Sequence, residues 1–252
     1  RRRSAPCAGG DGVCVLTHRR HVVVLTGAGI SADSGVETYR DAGGLWEGHR
    51  FEEVATPEGW AADRSLVWRF YQLRRAQMAT VEPNAAHGAL VRLETELARR
   101  GEGFTLVTQN VDDLHQRAGS TVLAMHGQVA RLRCERCGAV FVDSEHLDPD
   151  VFVACRSCAR GPLRPDVVWF GEMPYHLEEI ERAVAAATEF VAIGTSGAVY
   201  PAAGYLSYAR ANGARTICQG LAEPDNLDPR DEFRAGRACE VLPALVDQLL
   251  GG

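Results

Sequence analysis

Val22–Arg40 reads VVVLTGAGISADSGVETYR, and it decides the fold. Val22-Val23-Val24-Leu25 is a β-branched apolar run, the composition of a strand buried on both faces of a parallel sheet. Gly27-Ala28-Gly29-Ile30-Ser31-Ala32 follows at once and fits the G-x-G-x-x-G/A fingerprint of dinucleotide-binding loops. Glycines there let the backbone turn tightly and approach a pyrophosphate, whose charge a following helix N-terminus can stabilise. The same spacing also suits a tight strand-to-helix turn with no ligand. An ordinary dehydrogenase would place an acidic residue at the end of a second strand about 20 positions on. Here that region reads Asp41-Ala42-Gly43-Gly44-Leu45-Trp46-Glu47-Gly48-His49, without strand pattern. A dinucleotide remains compatible; a hydride-transfer geometry is not indicated.

The 252 residues are enough for one large core, or for one domain carrying a smaller one. A hydrophobic content of 46% and a charged content of 24% are ordinary for a globular chain. The net charge of −6 argues against a nucleic-acid partner. All 27 basic residues are arginine, which excludes a Schiff-base lysine and a Walker-type phosphate lysine. No apolar run approaches the ~20 residues of a membrane span. Arg1-Arg2-Arg3 leads into no apolar signal core, so an intracellular, cytoplasmic protein is expected.

Arg1 to about His21 reads as a short helix or a loose arm. Helical periodicity runs through Phe51–Met78, breaks at Pro83-Asn84 and resumes over Ala85–Arg100 until Gly101. Buried strands are predicted at Phe104–Thr108 and Val122–Met125. After an irregular Arg131–Arg164, α/β alternation returns: strand Val167–Phe170, helix Leu177–Thr188, strand Phe190–Ile193 and helix Pro201–Asn212. A strand at Arg215–Cys218, another near Cys239–Leu242 and a helix Ala244–Leu250 close the chain. Strands separated by helix-length segments imply a parallel sheet with right-handed crossovers.

Three strands end in small polar loops: Thr26-Gly27-Ala28-Gly29, Thr108-Gln109-Asn110-Val111-Asp112 and Gly194-Thr195-Ser196. In open parallel sheets ligands bind beyond the carboxyl ends of the strands, so the three converge on one nucleotide-sized crevice. His126 also follows a strand and is a candidate base, with a pKa tunable near neutrality. Cys134-x-x-Cys137 and Cys155-x-x-Cys158 have the spacing of a tetrathiolate zinc site. Cys7, Cys14, Cys218 and Cys239 are scattered, and reduced thiols are the simpler account of the set.

Taken together these residues resemble the sirtuin family of NAD-dependent protein deacylases. The carriers are GAGISADSG at Gly27–Gly35, TYR at Thr38–Arg40, TQNVDDLHQRAG at Thr108–Gly119 and MHG at Met125–Gly127. The two CxxC pairs, VVWFGE at Val167–Glu172 and GTS at Gly194–Ser196 complete them. PNAAH at Pro83–His87 and VYPAAG at Val199–Gly204 look most like the bacterial class related to mitochondrial desuccinylases. The resemblance implies a Rossmann-type large domain (1–41, 85–127 and 166–252) with a parallel sheet. A smaller domain would combine a helical module (42–84) with a zinc-binding module (128–165), zinc being structural.

In the family's reaction an acyl-lysine oxygen displaces nicotinamide from NAD, and a histidine acts as base toward the ribose hydroxyls. His126 matches that histidine; Asn110 and Asp112 match residues beside nicotinamide and its ribose, and Gln109 a ribose-side contact. NAD contacts are further implied for Gly27, Ala28, Gly29, Ile30, Ser31, Asp33, Gly35, Thr38, Tyr39, Arg40, Trp46 and Val111. On the other strands they are implied for Gly194, Thr195, Ser196, Gly220, Leu221 and Ala238. Val168, Trp169, Phe170 and Gly171 would form the edge to which the substrate peptide adds as a strand. Two departures stand out. Tyr39 replaces the usual Phe, and Gly220-Leu221 stands where relatives carry Asn-Leu-Glu, removing an amide from the adenosine side.

Tyr71 and Arg74 are three apart on a predicted helix and project from one face. By spacing alone they read as a surface pair; in the family pattern a Tyr-x-x-Arg here marks acceptance of succinyl- and malonyl-lysine. The expected activity is therefore removal of succinyl and malonyl groups from lysine, with acetyl also accepted. The expected partners are acyl-lysine proteins or peptides, with no nucleic acid and no membrane, and a monomer is compatible. The alternatives are NAD hydrolysis or ADP-ribosyl transfer on the same fold, or a non-catalytic NAD-binding sensor.

Overall fold

The computed structural model describes residues 19–36, 45–46, 48–143 and 145–251, with only the backbone of 45–46. Cys7, Cys14, Thr38, Tyr39 and Arg40 lie outside the described residues, and so does the side chain of Trp46. Strand β1 (His21–Thr26) is followed by two short 3-10 turns, Ala28–Ile30 and Ala32–Ser34. A small hairpin, β2 (Leu45–Trp46) and β3 (His49–Arg50), leads to helices α1 (Phe51–Val54), α2 (Pro57–Ala62) and α3 (Arg64–Met78). Then come α4 (Ala85–Arg99), β4 (Gly103–Thr108), α5 (Leu114–Ala118), β5 (Leu123–Ala124), β6 (Gly127–Cys134), β7 (Val140–Val142) and β8 (Leu163–Val167). The chain finishes with α6 (Leu177–Ala185), β9 (Glu189–Ile193), α7 (Ala202–Ala211), β10 (Arg215–Gly220), β11 (Glu232–Ala235) and α8 (Ala238–Gly251).

Six strands form one parallel sheet in the order β11-β10-β9-β1-β4-β5. Alternation explains the apolar runs. Val22, Val24, Leu106, Val191, Ile193 and Ile217 face Leu90, Leu93 and Leu97 of α4 and Leu242, Leu245, Val246 and Leu249 of α8. Val23, Leu25, Val107, Phe190, Ala192 and Cys218 face α6 and α7 on the other side. Chain order reverses about β1, with β4 and β5 on one flank and β9, β10 and β11 on the other. Such a switch point opens a crevice beyond the carboxyl ends of the strands. In register, Thr26 pairs with both Thr108 and Ile193, so the three polar loops start at one level.

A second sheet, β7-β6-β8, is antiparallel. Its Val129, Leu132, Leu163 and Val167 share one core with Val54, Trp60, Val67, Trp68 and Tyr71 of the α1–α3 segment, so two sequence-distant segments bury each other. Among the described residues no helix is long and apolar enough to cross a membrane.

Two sequence expectations are corrected. The strand expected over Val167–Phe170 ends at Val167 and belongs to the antiparallel sheet, not the parallel one. An apolar run of that length cannot specify its sheet. The strand expected near Cys239–Leu242 is the first part of α8, and the real edge strand is the more polar Glu232–Ala235. Leu242, Leu245, Val246 and Leu249 carry a helical period that packs on α4, and Pro243 sits inside the helix instead of preceding it.

Candidate active site

His126 lies on the seam between the two sheets, two residues after the end of β5 and directly before β6. Met125 N–H donates to the Thr108 carbonyl of the large sheet (3.0 Å), and the His126 carbonyl accepts from Val168 N–H beyond β8 (2.9 Å). Gly127 is at φ +76°, and a Cβ there would meet the Asp166 carbonyl at 2.1 Å, so glycine alone lets the chain pass from one sheet to the other. The half-buried imidazole has its Nδ1 2.8 Å from the Gln109 carbonyl. A carbonyl only accepts, so Nδ1 carries the proton and the Nε2 lone pair is the basic position. Burial lowers the His126 pKa, the bond to Gln109 acting the other way, so the ring is neutral at neutral pH.

Beside it three buried polar side chains form a relay. Asn110 Nδ2 donates to Ser31 Oγ (3.1 Å), and Ser31 Oγ donates to Asp112 Oδ2 (2.9 Å). Asp112 Oδ1 also accepts from Leu114 N–H at 3.2 Å. Burial raises the Asp112 pKa, with the Leu114 and Ser31 bonds offsetting part of the rise. Gln109 Nε2 reaches Thr195 Oγ1 across the crevice (3.1 Å), linking the loops after β4 and β9. Val111 sits among these residues and accepts Val129 N–H from β6 at its carbonyl (2.8 Å).

The glycine loop departs from expectation in two ways. Among the described residues two 3-10 turns, not a regular helix, follow the glycine loop, and neither turn carries the dipole of a long helix. Its glycines serve the protein's own packing. A Cβ on Gly27 would lie 2.8 Å from the Gly194 carbonyl, and one on Gly29 2.7 Å from Gly194 Cα. Gly29 N–H donates to the Gly194 carbonyl at 2.9 Å, so the loops after β1 and β9 are in direct backbone contact. Ala28 and Gly29 are partly accessible, Ile30 is in the core, and Gly35 ends the second turn at φ 89°. Asp33 is already engaged: Arg237 Nε donates to its carboxylate (2.6 Å), as does Cys239 N–H at the start of α8 (3.3 Å). Gly194 and Ser196 lie at the same crevice mouth as Thr195. On the far flank Gly220 ends β10, Leu221 is 79% exposed and Ala238 is buried in the core, with no side-chain donor among them.

Toward the small unit, Tyr71 is buried and Arg74 half-buried on α3. Arg74 lies over the Phe70 ring (5.6 Å), three residues on from Tyr71 along the same helix. The expected peptide-binding edge is partly used up by the chain itself. Val168 N–H donates to the His126 carbonyl, Trp169 N–H to Glu172 Oε2 and Phe170 N–H to the Ala55 carbonyl, each at 2.9 Å. An added strand must therefore rely on carbonyls there and on Gly171. Phe170 is 45% exposed and packs against Phe51.

The four cysteine sulfurs lie within 4.8 Å of one another. Cys134–Cys158 is 3.8 Å and Cys137–Cys155 is 3.7 Å. A tetrahedron with Zn–S of about 2.3 Å has edges of about 3.8 Å, so the donor set fits a closed structural Zn2+ site without an open position.

The Sir2 family profile matches residues 27–201. This chain belongs to the Sir2 family, the sirtuins. It is 52% identical over 231 residues to an NAD-dependent protein deacylase of Caulobacter vibrioides, covering 91% of this chain and 96% of that one. It is 49% identical over 238 residues to the NAD-dependent protein deacylase of Escherichia coli K12, covering 92% and 82%. A solved Sir2 homologue–NAD complex superposes with a TM-score of 0.82 at 38% identity, covering 92% of this chain and 90% of that one. A Sir2–p53 peptide–NAD+ structure matches with a TM-score of 0.77 at 28% identity, covering 94% and 96%.

Beneath the crevice of this sirtuin runs a buried network that the motif reading passed over. His115 Nε2 lies 3.0 Å from Thr26 Oγ1, which donates to Thr108 Oγ1 (2.8 Å), which accepts Asn110 N–H (3.1 Å). His87 packs edge-on against His115 at 4.8 Å, and its Nδ1 accepts Asn84 N–H at 3.2 Å. Asn84 in turn donates to the Ile30 carbonyl (2.8 Å) and Ser34 Oγ (3.0 Å), holding the glycine loop from below. Burial lowers both histidine pKa values, to about 4 for His87 and about 3 for His115. The legible signal was the Asn84-x-x-His87 spacing of a helix cap just after Pro83.

Proposed function

We propose that this sirtuin is an NAD-dependent protein-lysine deacylase whose acyl pocket favours acyl groups ending in a carboxylate. The deacylase activity follows from membership and from near-complete coverage by relatives so named. The residues around the crevice fit NAD in chemistry: amide, hydroxyl and carboxylate groups at Asn110, Ser31, Asp112, Gln109 and Thr195 converge beyond the strand ends. In this reading Gly27–Ser31, Gln109–Asp112 and Gly194–Ser196 hold the dinucleotide. The chemistry NAD supplies when bound is a ribose carbon that releases nicotinamide and takes the acyl oxygen. His126, neutral and held by its Nδ1–H on the Gln109 carbonyl, accepts the ribose hydroxyl proton at Nε2. Asn110, Ser31 and Asp112 keep fixed polar partners in a site where little water competes. Zinc, held by Cys134, Cys137, Cys155 and Cys158, shapes the small unit and takes no part in the chemistry; a reducing compartment such as the cytoplasm suits those thiolates.

The acyl preference is supported by Tyr71 and Arg74 lying one turn apart on α3, Tyr71 buried and Arg74 half-buried over the Phe70 ring. A guanidinium and a phenol together suit a carboxylate terminus. A panel of succinyl-, malonyl- and acetyl-lysine peptides with NAD, read by mass spectrometry, tests this. Wild type is expected to prefer the acidic acyl groups, and Arg74→Met to reverse the preference. Equal losses on all substrates would reduce Arg74 to a structural residue. Nicotinamide release without any acyl-peptide would favour NAD hydrolysis instead.

A further inference from the structure

The Tyr71 hydroxyl has one hydrogen-bonding partner among the described residues, Trp169 Nε1 at 3.1 Å. An indole N–H can only donate, so the Tyr71 oxygen is the acceptor. The phenol's own proton is therefore not used in this contact and remains to be given to another group. Tyr71 is 3% exposed, and burial pushes its pKa up to about 12, so the phenol keeps that proton throughout the working pH range.

Trp169 itself has little freedom. It is 2% exposed, and the Arg164 guanidinium lies 3.4 Å from its ring centroid. Arg164 grips Glu172 with both terminal nitrogens (2.7 and 2.8 Å) and also donates to the Val167 carbonyl (3.0 Å). Glu172 accepts the Trp169 backbone N–H, so one ion pair fixes both the backbone and the ring. Trp60 flanks the indole at 5.7 Å. The indole N–H is thereby aimed at Tyr71 before any ligand arrives.

We infer that Trp169 is a specificity-determining positioning residue: its indole N–H occupies the Tyr71 oxygen, so that the phenol proton is presented to the far end of the acyl group. Discrimination between carboxylate-ended and neutral acyl groups then depends on the Trp169–Tyr71 pair as well as on Arg74. This rests on the reading that Tyr71 and Arg74 meet the acyl terminus. A neutral acetyl group has no distal acceptor, so the direction of the phenol proton matters only for the longer, charged acyl groups.

The test is the ratio of kcat/KM for succinyl- and acetyl-lysine peptides of one sequence, measured for wild type, Arg74→Met, Tyr71→Phe, Trp169→Phe and the Tyr71→Phe/Trp169→Phe double variant. Trp169→Phe is expected to lower the ratio about tenfold, the size one hydrogen bond to a charged group commands. In the Tyr71→Phe background the same substitution should no longer change the ratio, because its effect passes through the phenol. An unchanged ratio in Trp169→Phe, or an equal change in both backgrounds, overturns the inference. If Arg74→Met and Tyr71→Phe also leave the ratio unmoved, the acyl-pocket reading itself fails. Should Trp169→Phe not fold, wild-type protein labelled with 15N-tryptophan decides. The indole N–H signal that Tyr71→Phe shifts should respond to a bound succinyl-peptide and not to an acetyl-peptide. Equal responses to both overturn the inference.

Discussion

In the six-stranded sheet Val22, Val23 and Val24 are wholly buried and each is flanked by a parallel neighbour on either side. In the three-stranded sheet Val142 of β7 is 64% exposed and Val140 39%, and the β6–β8 register shifts between Gln128 and Leu132. The first sheet carries its loops on a two-sided apolar core. The second has one apolar face shared with the helices, so its far end depends on four thiols and on a buried ion cluster. In that cluster Arg75 of α3 donates to the Asp143 carbonyl and to the side chain of Gln72, and the Asp143 carboxylate accepts from His146 Nδ1 at 3.1 Å. The difference teaches where each kind of control sits. His126 hangs from the six-stranded sheet, whereas Tyr71 and Arg74 sit on α3, packed against the unit that carries the cysteine quartet.

Breaking the weaker partner should have the largest effect. Cys155→Ser is expected to remove the metal, unfold the small unit and abolish turnover, because structural zinc supplies folding free energy to modules of this size. Zinc content and circular dichroism check it; a metal-free, folded and active variant would show that the apolar face alone suffices.

Next in size is the seam. His126→Ala should leave both sheets folded and lower deacylation by about 10²–10⁴-fold, the usual worth of general-base help. Near-normal turnover with normal zinc content would remove His126 from the chemistry. The contrast between a folded His126→Ala and an unfolded Cys155→Ser is itself the comparison made measurable.

The smallest effect concerns the acid sensitivity of the rigid sheet. His87 and His115 are held neutral, with pKa values lowered to about 4 and about 3 from the ordinary 6.5. Between those values the unfolded chain binds more protons than the folded one. Stability is therefore undiminished by these groups above pH ~6.5 and declines as the pH falls below it, by at most about 1.4 kcal/mol per pH unit for each histidine. Acid also releases thiolate-bound metal, so the informative quantity is a difference. Urea unfolding from pH 7 to 5 should give a shallower pH slope for His87→Gln than for wild type. Identical slopes would place the acid sensitivity wholly in the zinc unit.

The same contrast accounts for what was readable beforehand. Strands β1, β4, β9 and β10 were legible because a strand buried on both faces is a continuous apolar run between turn residues. The cysteine quartet was legible because metal ligands recur at fixed short spacings. Val167–Phe170 misled because a short apolar run is compatible with either sheet, and Cys239–Leu242 because its helical period appears only against α4.

The sequence by itself determined the strands of the parallel sheet, the polar loops that end them and the cysteine quartet, since each is encoded by residues close together in the chain. Tertiary structure alone decided that Gly27 and Gly29 press against Gly194, that Asp33 is engaged by Arg237 and that His115 supports Asn110 through two threonines. It also decided that the Trp169 indole meets the Tyr71 hydroxyl. Apart from the Thr108–Asn110 step, these contacts join residues 82 to 204 positions apart, such as Tyr71 and Trp169 at a separation of 98. A hydrogen bond depends on atoms meeting within about 3 Å at the right angle, and one-dimensional patterns carry no such angle.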